Sequence, residues 1–378
     1  MNCNICNRAI RKPVYESGDR ASITSLCELR DVKTTVYFCS HCGHLMSPQL
    51  EGVEHYYAVD YRILLNHDEE DQIYEVDNGI VRYRTEHQLS TLAKKIQFQS
   101  GKRVLDYGCA KSIMTKRLLE IHSELQYFLY DVSDMYVGYW ERLVPESHWA
   151  INQTPADWEA SFDLVTSYFS LEHIPKPRLA IEHVHSLLRE GGTLYGIVPN
   201  VFSNPADFVV VDHNNHFTPD SLRYLLVDCG FGDIEIDSDS HRGALVFTAR
   251  KTMRTAPAVA PADLRARVQE LAEFWANLRD NICSLEVTSE SPYAIYGSGF
   301  YGAYVYSNLE KKDDVKCFLD QSPFQQEKKL FGRRIFAPAA LPDDIRTIFV
   351  GLNPIIAHSV IEGVPELNKS GLQINFLK

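Results

Sequence analysis

The sequence predicts an α/β protein with an N-terminal cysteine-knuckle segment, a central doubly wound region and a smaller C-terminal α/β region. Three observations lead there. Four segments between residues 101 and 200 follow the order strand, turn and helix: GKRVLDYGCAKS (101–112), YFLYDVSD (127–134), FDLVTSYFSLEHI (162–174) and LLREGGTLYGIVPN (187–200). A second strand–glycine turn–helix unit, YAIYGSGFYGAYVYSNL, spans 293–309. Two Cys-x-x-Cys pairs stand near the start of the chain. Strands alternating with helices are the pattern of a parallel sheet.

The bulk numbers set bounds. A chain of 378 residues is too long for one ordinary domain. A hydrophobic share of 45% and a charged share of 23% are those of a globular protein. There is no apolar run of the roughly 18 residues a membrane-spanning helix needs, and MNCNICNRAIRK has no signal-peptide core. The expectation is therefore a cytoplasmic protein with no membrane partner. In that compartment thiols stay reduced, so the nine cysteines read as metal ligands or core residues rather than disulfides. Thirty-eight basic against fifty acidic residues give a net charge of −12, which argues against a nucleic-acid partner. An anionic small molecule stays possible, because a local pocket can be positive on an acidic protein. A homodimer is permitted.

The element order begins with Cys3-Asn-Ile-Cys6 and Cys39-Ser-His-Cys42. A two-residue spacer lets one tight turn present two sulfurs, and two such turns supply the four thiolates of tetrahedral zinc. Four thiolates leave no open coordination position, so this metal is structural. Cys27 and His44 are spare donors, Cys27 reading better as a packed thiol. The alternative is four unligated cysteines. Next, HYYAVDYRILLNHDEEDQIYEV (55–76) has no clean period. Its Tyr57 and Tyr61 can line a substrate pocket or pack on the surface. In VRYRTEHQLSTLAKKIQFQ (81–99), Leu89, Leu92 and Ile96 follow helical spacing.

Val104-Leu105 reads as a buried strand end that delivers Asp106, and the residues after it turn into a helix through Leu118 and Leu119. A cofactor crossing that turn needs small residues so that backbone can approach it. Gly108, Ala110 and Ser112 fill the three small slots, one glycine where the usual acidic-x-Gly-x-Gly-x-Gly pattern has three. The second strand ends in Asp131, whose carboxylate can accept hydrogen bonds from ribose hydroxyls or cap the next helix. Asp157 and Trp158 precede the next strand, placed to edge an adenine or to pack in the core. Tyr168 and His173 follow that strand, and Gly191-Gly192 turns into the one after it.

Taken together these segments resemble the class I S-adenosylmethionine (SAM) methyltransferases, over about residues 85–250. The resemblance implies a Rossmann-like, mostly parallel sheet with SAM at the carboxyl ends of its strands. Asp106, Gly108, Ala110, Asp131, Asp157, Trp158 and Tyr168 are then the cofactor-binding candidates.

VDHNNHFTPDSLRYLLVDCGF (211–231) reads as a loop and then a helix, with Thr218 as N-cap and Pro219 at the first helical position. In the class it resembles, this segment commonly faces the substrate. Asp212 and His213 can form a carboxylate-oriented imidazole, the arrangement of a general base, and His216 is a second candidate. The alternative is that these histidines only bond the loop backbone. His173 divides the same way between chemistry and structure.

TMRTAPAVAPADLRA (252–266) reads as a linker, followed by a helix with Val268, Leu271, Phe274 and Leu278 on one face. Then Gly297-Ser-Gly299-Phe-Tyr301-Gly302 opens a helix after a strand, with Asp320 ending the next strand. Such a turn can cradle a pyrophosphate, so Gly297, Gly299 and Tyr301 are substrate-side candidates. Taken literally it is a dinucleotide site and the protein an NAD-dependent sugar-modifying enzyme. No hydride-transfer constellation accompanies it. A non-catalytic SAM- or nucleotide-binding scaffold is the other alternative.

The whole arrangement resembles the three-domain, zinc-binding sugar C-methyltransferases of deoxysugar pathways. Cys3, Cys6, Cys39 and Cys42 match that family's zinc ligands, and FCSHCGHLMSP resembles its second knuckle. The resemblance implies a nucleotide-linked sugar acceptor and C- or O-methylation in glycan or natural-product biosynthesis. That family carries Tyr-His-Glu-His before its helix. Here Asp212-His213 fall on the Glu-His pair and Val210-Val211 on the Tyr-His pair. The expected layout is a zinc-binding domain (1–60), a methyltransferase domain with a helical lead-in (61–255), a linker and helix (256–285) and a C-terminal Rossmann-like domain (286–378).

Overall fold

The computed structural model describes residues 1–18, 20–50, 52, 71–77, 80–252, 263–326, 328–367 and 371–378. They form two compact units. Met1–Pro13, Tyr37–Ser203 and Asp212–Arg265 make the first; Val14–Val36, Asn204–Val211 and Ala266–Lys378 make the second. Among the described residues no helix is long and apolar enough to cross a membrane.

The first unit is built on a seven-stranded sheet. Its strands are β1 (Arg103–Tyr107), β2 (Gln126–Asp131), β3 (Trp149–Ile151), β4 (Phe162–Tyr168), β5 (Leu188–Pro199), β6 (Phe231–Asp237) and β7 (Ala244–Lys251). They lie in the order β3-β2-β1-β4-β5-β7-β6, and β7 alone runs antiparallel to its neighbours. This is the mostly parallel, doubly wound sheet the sequence implies. The near-continuous apolar runs follow from it, since a parallel sheet is covered on both faces. Val104, Leu129, Tyr195 and Val246 sit in one core, and Leu105, Phe128, Val165 and Phe247 in another.

The longer helices beside these strands are α1 (Arg84–Lys95), α2 (Ile113–Ile121), α3 (Pro177–Leu187) and α4 (Pro219–Asp228). The expected helix over 81–99 is shorter than its apolar spacing suggests. Ile80–Tyr83 is a strand paired with Ile73–Asp77, because Ile80-Val81 extends the β-branched hairpin. The α4 start is as read: Thr218 Oγ1 accepts from the Ser221 N–H at 3.1 Å, and Ser221 Oγ accepts from the Thr218 N–H at 3.0 Å. That reciprocal cap satisfies two otherwise orphan donors.

The knuckle residues do not form a core of their own. Cys3, Ile5, Ile10, Cys39, Cys42 and Met46 share one apolar cluster with Leu222, Leu225 and Leu226 of α4. So few apolar residues cannot exclude water alone, and packing on a larger neighbour supplies the missing burial. Met1–Pro13 and the second knuckle therefore belong to the first unit, while Val14–Val36 groups with the second.

The second unit carries a six-stranded sheet. Its strands are β8 (Tyr293–Tyr296), β9 (Val315–Leu319), β10 (Lys329–Leu330), β11 (Arg333–Phe336), β12 (Thr347–Val350) and β13 (Gln373–Phe376). The order is β10-β11-β9-β8-β12-β13, parallel except for β10. Helix α5 (Leu264–Val287) leads into it, α6 (Phe300–Asn308) follows β8 and α7 (Pro354–Glu362) follows β12. On α5 the buried face is Val268, Leu271, Trp275, Leu278 and Ile282. Trp275 is fully packed where Phe274 is expected, and its indole N–H donates to the Pro205 carbonyl at 2.9 Å.

The glycines of the 297–302 turn have a packing reason. A Cβ on Gly297 would stand 2.4 Å from the Gly351 carbonyl oxygen, and one on Gly302 would stand 2.0 Å from the Gly297 carbonyl oxygen. Gly297 also has φ +97°. The loops after β8 and β12 thus touch backbone to backbone at the point where the strand order reverses. Gly302→Ala forces this contact apart and is expected to destabilise the protein by about 3 kcal/mol in urea unfolding.

Candidate active site

A cavity of about 920 Å³ opens at the carboxyl ends of β1, β2 and β4 in the first unit. Asp106, Gly108, Ala110, Asp131 and Tyr168 all line it, as do Ser170 and His173. The sequence therefore brings five of its seven cofactor candidates together. Trp158 is not among the lining residues. It is buried edge-on to Phe128 and Phe162 at ring distances of 5.3 and 5.5 Å, while Asp157 is exposed beside it. A large apolar ring after a buried strand gains more from the core than from a cleft wall. Asn152 occupies that side of the cavity instead.

The turn after β1 is fixed by a few bonds. Gly108 has φ +72°, and a Cβ there would meet Ser170 Oγ at 2.1 Å, so only glycine fits. Ala110 also adopts a left-handed backbone, φ +43°. Its N–H donates to Asp131 Oδ2 at 2.8 Å and its carbonyl accepts from the Trp140 indole at 2.7 Å. Those two bonds hold a residue where a glycine is usual. Asp131 Oδ1 accepts the N–H groups of Val132 and Ser133 at 2.8 and 3.1 Å. Asp131 thus organises both the glycine turn and its own loop, a role its position in the sequence does not reveal.

Asp106 is buried, and its Oδ2 accepts from the hydroxyls of Ser112 (2.9 Å) and Thr115 (3.1 Å). Burial pushes its carboxyl up from 3.8 to about 6, against the pull of those hydroxyls. The folded protein then holds a proton between about pH 4 and 6 that the unfolded chain has lost. Stability from this group falls as pH rises through that window, by about 3 kcal/mol in all. Asp106→Asn is expected to be more stable than the parent at pH 8, with the advantage shrinking below pH 6; urea unfolding at pH 8 and pH 5 checks it.

The far end of the cavity is made by the loop after β4. His173 lines it, with Nδ1 3.4 Å from the Asp212 carbonyl oxygen and 3.9 Å from its carboxylate. The His213 ring stands perpendicular to His173, centroids 4.6 Å apart. Asp212, expected to orient His213, thus has its carboxylate beside His173. His216 is buried in a strand pair with Leu45, its Nε2 2.8 Å from Ser47 Oγ, and is not among the lining residues. Cavity-lining residues that sequence reasoning did not mark include Arg84, Lys111 and Lys176, whose cations carry no motif. Tyr57 and Tyr61 lie outside the described residues.

Cys3, Cys6, Cys39 and Cys42 place their sulfurs within 4.8 Å of one another. Cys3 Sγ lies 3.6 Å from Cys42 Sγ and Cys6 Sγ 3.5 Å from Cys39 Sγ, so the knuckles interleave. Four sulfurs about 2.3 Å from one zinc stand about 3.8 Å apart, whereas a disulfide is about 2.05 Å long. The donor set therefore fits tetrahedral zinc. Asn7 and Gly43, one residue past each knuckle, are left-handed (φ 59° and 75°), which closes the turns. His44 is outside this group; its Nε2 lies 3.2 Å from Asn215 Oδ1. Asn215 also accepts from Asn4 Nδ2 at 2.7 Å and donates to the carbonyls of Leu171 (2.7 Å) and Ile174 (2.8 Å). One buried amide thus joins both knuckles to the loop that bears His173.

In the second unit, Asp320 Oδ2 accepts from the Ser298 N–H at 3.0 Å and its hydroxyl at 2.6 Å, and Oδ1 accepts from the Ser322 N–H at 2.9 Å. The residue at the ribose position thus closes its own turn. Tyr301 is buried, its ring stacked 5.9 Å from Trp275, so it belongs to the core. Gly299 is exposed and has nothing within 4 Å of a Cβ position.

Residues 78–236 match the model of a methyltransferase domain family, and that stretch contains the glycine turn after β1 and the acid at the end of β2. A stretch of 103 residues is 31% identical to the ubiquinone biosynthesis O-methyltransferase of Paraburkholderia phymatum, covering 25% of this chain and 44% of that relative, less than half its length. Among solved structures, a SAM-dependent methyltransferase from Mesorhizobium loti aligns at 16% identity over 43% of this chain and 97% of its own, TM-score 0.36. The Haemonchus contortus phosphoethanolamine N-methyltransferase 2 bound to SAM aligns at 15% identity over 44% of this chain and 52% of its own, TM-score 0.37.

Proposed function

We propose that the protein transfers the methyl group of SAM to a small-molecule acceptor, and that this acceptor is a nucleotide-linked sugar. The observation that carries the reading is the single cavity joining the Asp106–Ser112 turn and Asp131 to His173. Its volume of about 920 Å³ is near the top of the roughly 300–1,000 Å³ usual for small-molecule sites, which suits a cofactor and an acceptor together. Asp131 keeps one lone pair, on Oδ2, for a ribose hydroxyl, and the turn brings backbone close to the cofactor. SAM supplies an electrophilic methyl on a sulfonium.

On this reading an acceptor carbon, oxygen or nitrogen loses a proton to an imidazole of the His173–His213 pair, with Asp212 beside it stabilising the charge. The acceptor atom then forms the bond to the methyl carbon while the carbon–sulfur bond breaks, its electron pair staying on sulfur. Arg84 and Lys176 at the cavity provide cations for an acceptor phosphate. The sugar assignment rests on the resemblance of knuckles, middle domain and C-terminal glycine turn to the sugar C-methyltransferases. The four cysteines are assigned a structural zinc.

Calorimetric titration with SAM, S-adenosylhomocysteine and NAD, separately, tests the reading. Micromolar binding of the first two without NAD supports it; NAD binding alone overturns it and moves attention to Gly297–Gly302. With a nucleotide-sugar acceptor in hand, His213→Ala is expected to lower kcat about 100-fold or more while SAM affinity holds.

A further inference from the structure

We infer that Glu172, His173 and His213 form a second metal site, for a divalent transition ion, at the acceptor end of the cavity. It rests on the methyl-transfer reading above for its purpose, and replaces the imidazole base by an ion.

One donor atom from each of the three residues lies within 4.8 Å of the other two. Two imidazoles and one carboxylate on one side of an ion are the donor set of facial sites for iron(II), cobalt(II), manganese(II) or zinc(II), with the remaining positions open. The residues come from separate parts of the chain, and backbone bonds stitch those parts together. The Glu172 carbonyl accepts the N–H groups of Asn214 (2.8 Å) and Asn215 (3.0 Å), which fixes the His213 loop against the Glu172–His173 pair. Small side-chain rotations then bring the donors to the roughly 3 Å spacing that bonds of about 2.1 Å require.

Two further features point the same way. Glu172 and His213 are buried, 1% and 7% exposed, whereas His173 lines the cavity, so an ion held here keeps its open side toward the ligand space. The Asp212 carbonyl and carboxylate sit 3.4 and 3.9 Å from His173 Nδ1. A proton on Nδ1 donated to the Asp212 carbonyl leaves Nε2 as the ligating lone pair, the way a backbone carbonyl orients metal-bound imidazoles. The ion would bind an acceptor oxygen and make its O–H bond more acidic; the proton passes to solvent water, and the oxygen is left to attack the methyl carbon.

Cobalt(II) titration of the zinc-loaded protein tests this. The expected result is one further equivalent bound, with the weak visible bands of nitrogen and oxygen ligation and no thiolate-to-cobalt charge transfer. Glu172→Gln and His213→Ala are each expected to weaken that binding more than about tenfold. Glu172→Gln keeps the side chain's shape, and near-ultraviolet circular dichroism reports whether either variant is folded. No cobalt beyond the cysteine site, or binding unchanged in a folded Glu172→Gln, overturns the inference. SAM calorimetry on the same samples separates the two readings. Cobalt without SAM sinks the methyltransferase; SAM without cobalt sinks only the metal site.

Discussion

Removing zinc from Cys3, Cys6, Cys39 and Cys42 is expected to cost the first unit several kcal/mol of stability and to silence the protein before it unfolds. Structural zinc in thiolate sites contributes about 10 kcal/mol or more of apparent binding energy, much of it folding energy. On the structural-zinc assignment, that energy reaches the loop that bears His173. Asn4 inside the first knuckle and His44 just past the second contact Asn215, and Asn215 holds the carbonyls of Leu171 and Ile174 on either side of Glu172 and His173. If the knuckles open, two buried carbonyls lose their donor, at about 1–3 kcal/mol each. Chelation, or Cys39→Ser, should therefore lower the urea midpoint and reduce kcat more than it raises the dissociation constant for SAM. Asn215→Ala with zinc still bound should reproduce the loss of kcat. Unchanged stability after complete zinc removal would make the four thiols a packed cluster.

Gly108→Ala is expected to weaken SAM binding about 100-fold. Two costs combine. A left-handed backbone costs a non-glycine residue about 1–2 kcal/mol. The new methyl would also fall 2.1 Å from Ser170 Oγ and 2.8 Å from its Cβ, so the loop after β4 must move. Together these come to about 3 kcal/mol, or about two factors of ten in affinity. The double variant Gly108→Ala, Ser170→Gly removes the clash but keeps the backbone strain, and should recover about half of the lost binding energy. Calorimetry with SAM reads both. Recovery to full affinity would show that Gly108 is needed for space alone.

Much of this site is legible in the sequence because its parts are local. The two-residue spacers give the four cysteines, and Thr218-Pro219 gives the start of α4. Asp106, Gly108 and Asp131 stand at, or directly after, the ends of apolar strands. What escapes the sequence is contact at a distance. Nothing near Asp131 says that its carboxylate will take the Ala110 N–H, and nothing near Gly108 points to Ser170. The pairing of Asp212 with His213 is read from adjacency, and adjacency gives no hint that the Asp212 carboxylate also stands 3.9 Å from His173 Nδ1. Trp158 fails as a cleft residue for a similar reason: spacing fixes where a ring begins, and packing decides where it points. The strand Ile80–Tyr83 hides in a helical spacing because Leu89 and Leu92 alone satisfy the period. The second sheet is legible as strand, turn and helix, but the backbone interlock of Gly297, Gly302 and Gly351 depends on a loop far along the chain.

Chain order carries a further consequence. Six stretches alternate between the two units, so the polypeptide passes from one to the other five times. Val14–Val36 is made before most of the first unit, yet its own unit is completed only by Ala266–Lys378. The early segment waits, unburied, through synthesis of the whole first unit. Such long-range closure slows folding and lengthens exposure to misassembly. It also means that a cut between residues 252 and 263 cannot yield two complete halves, since the N-terminal fragment would carry off Val14–Val36 and Asn204–Val211 of the second unit.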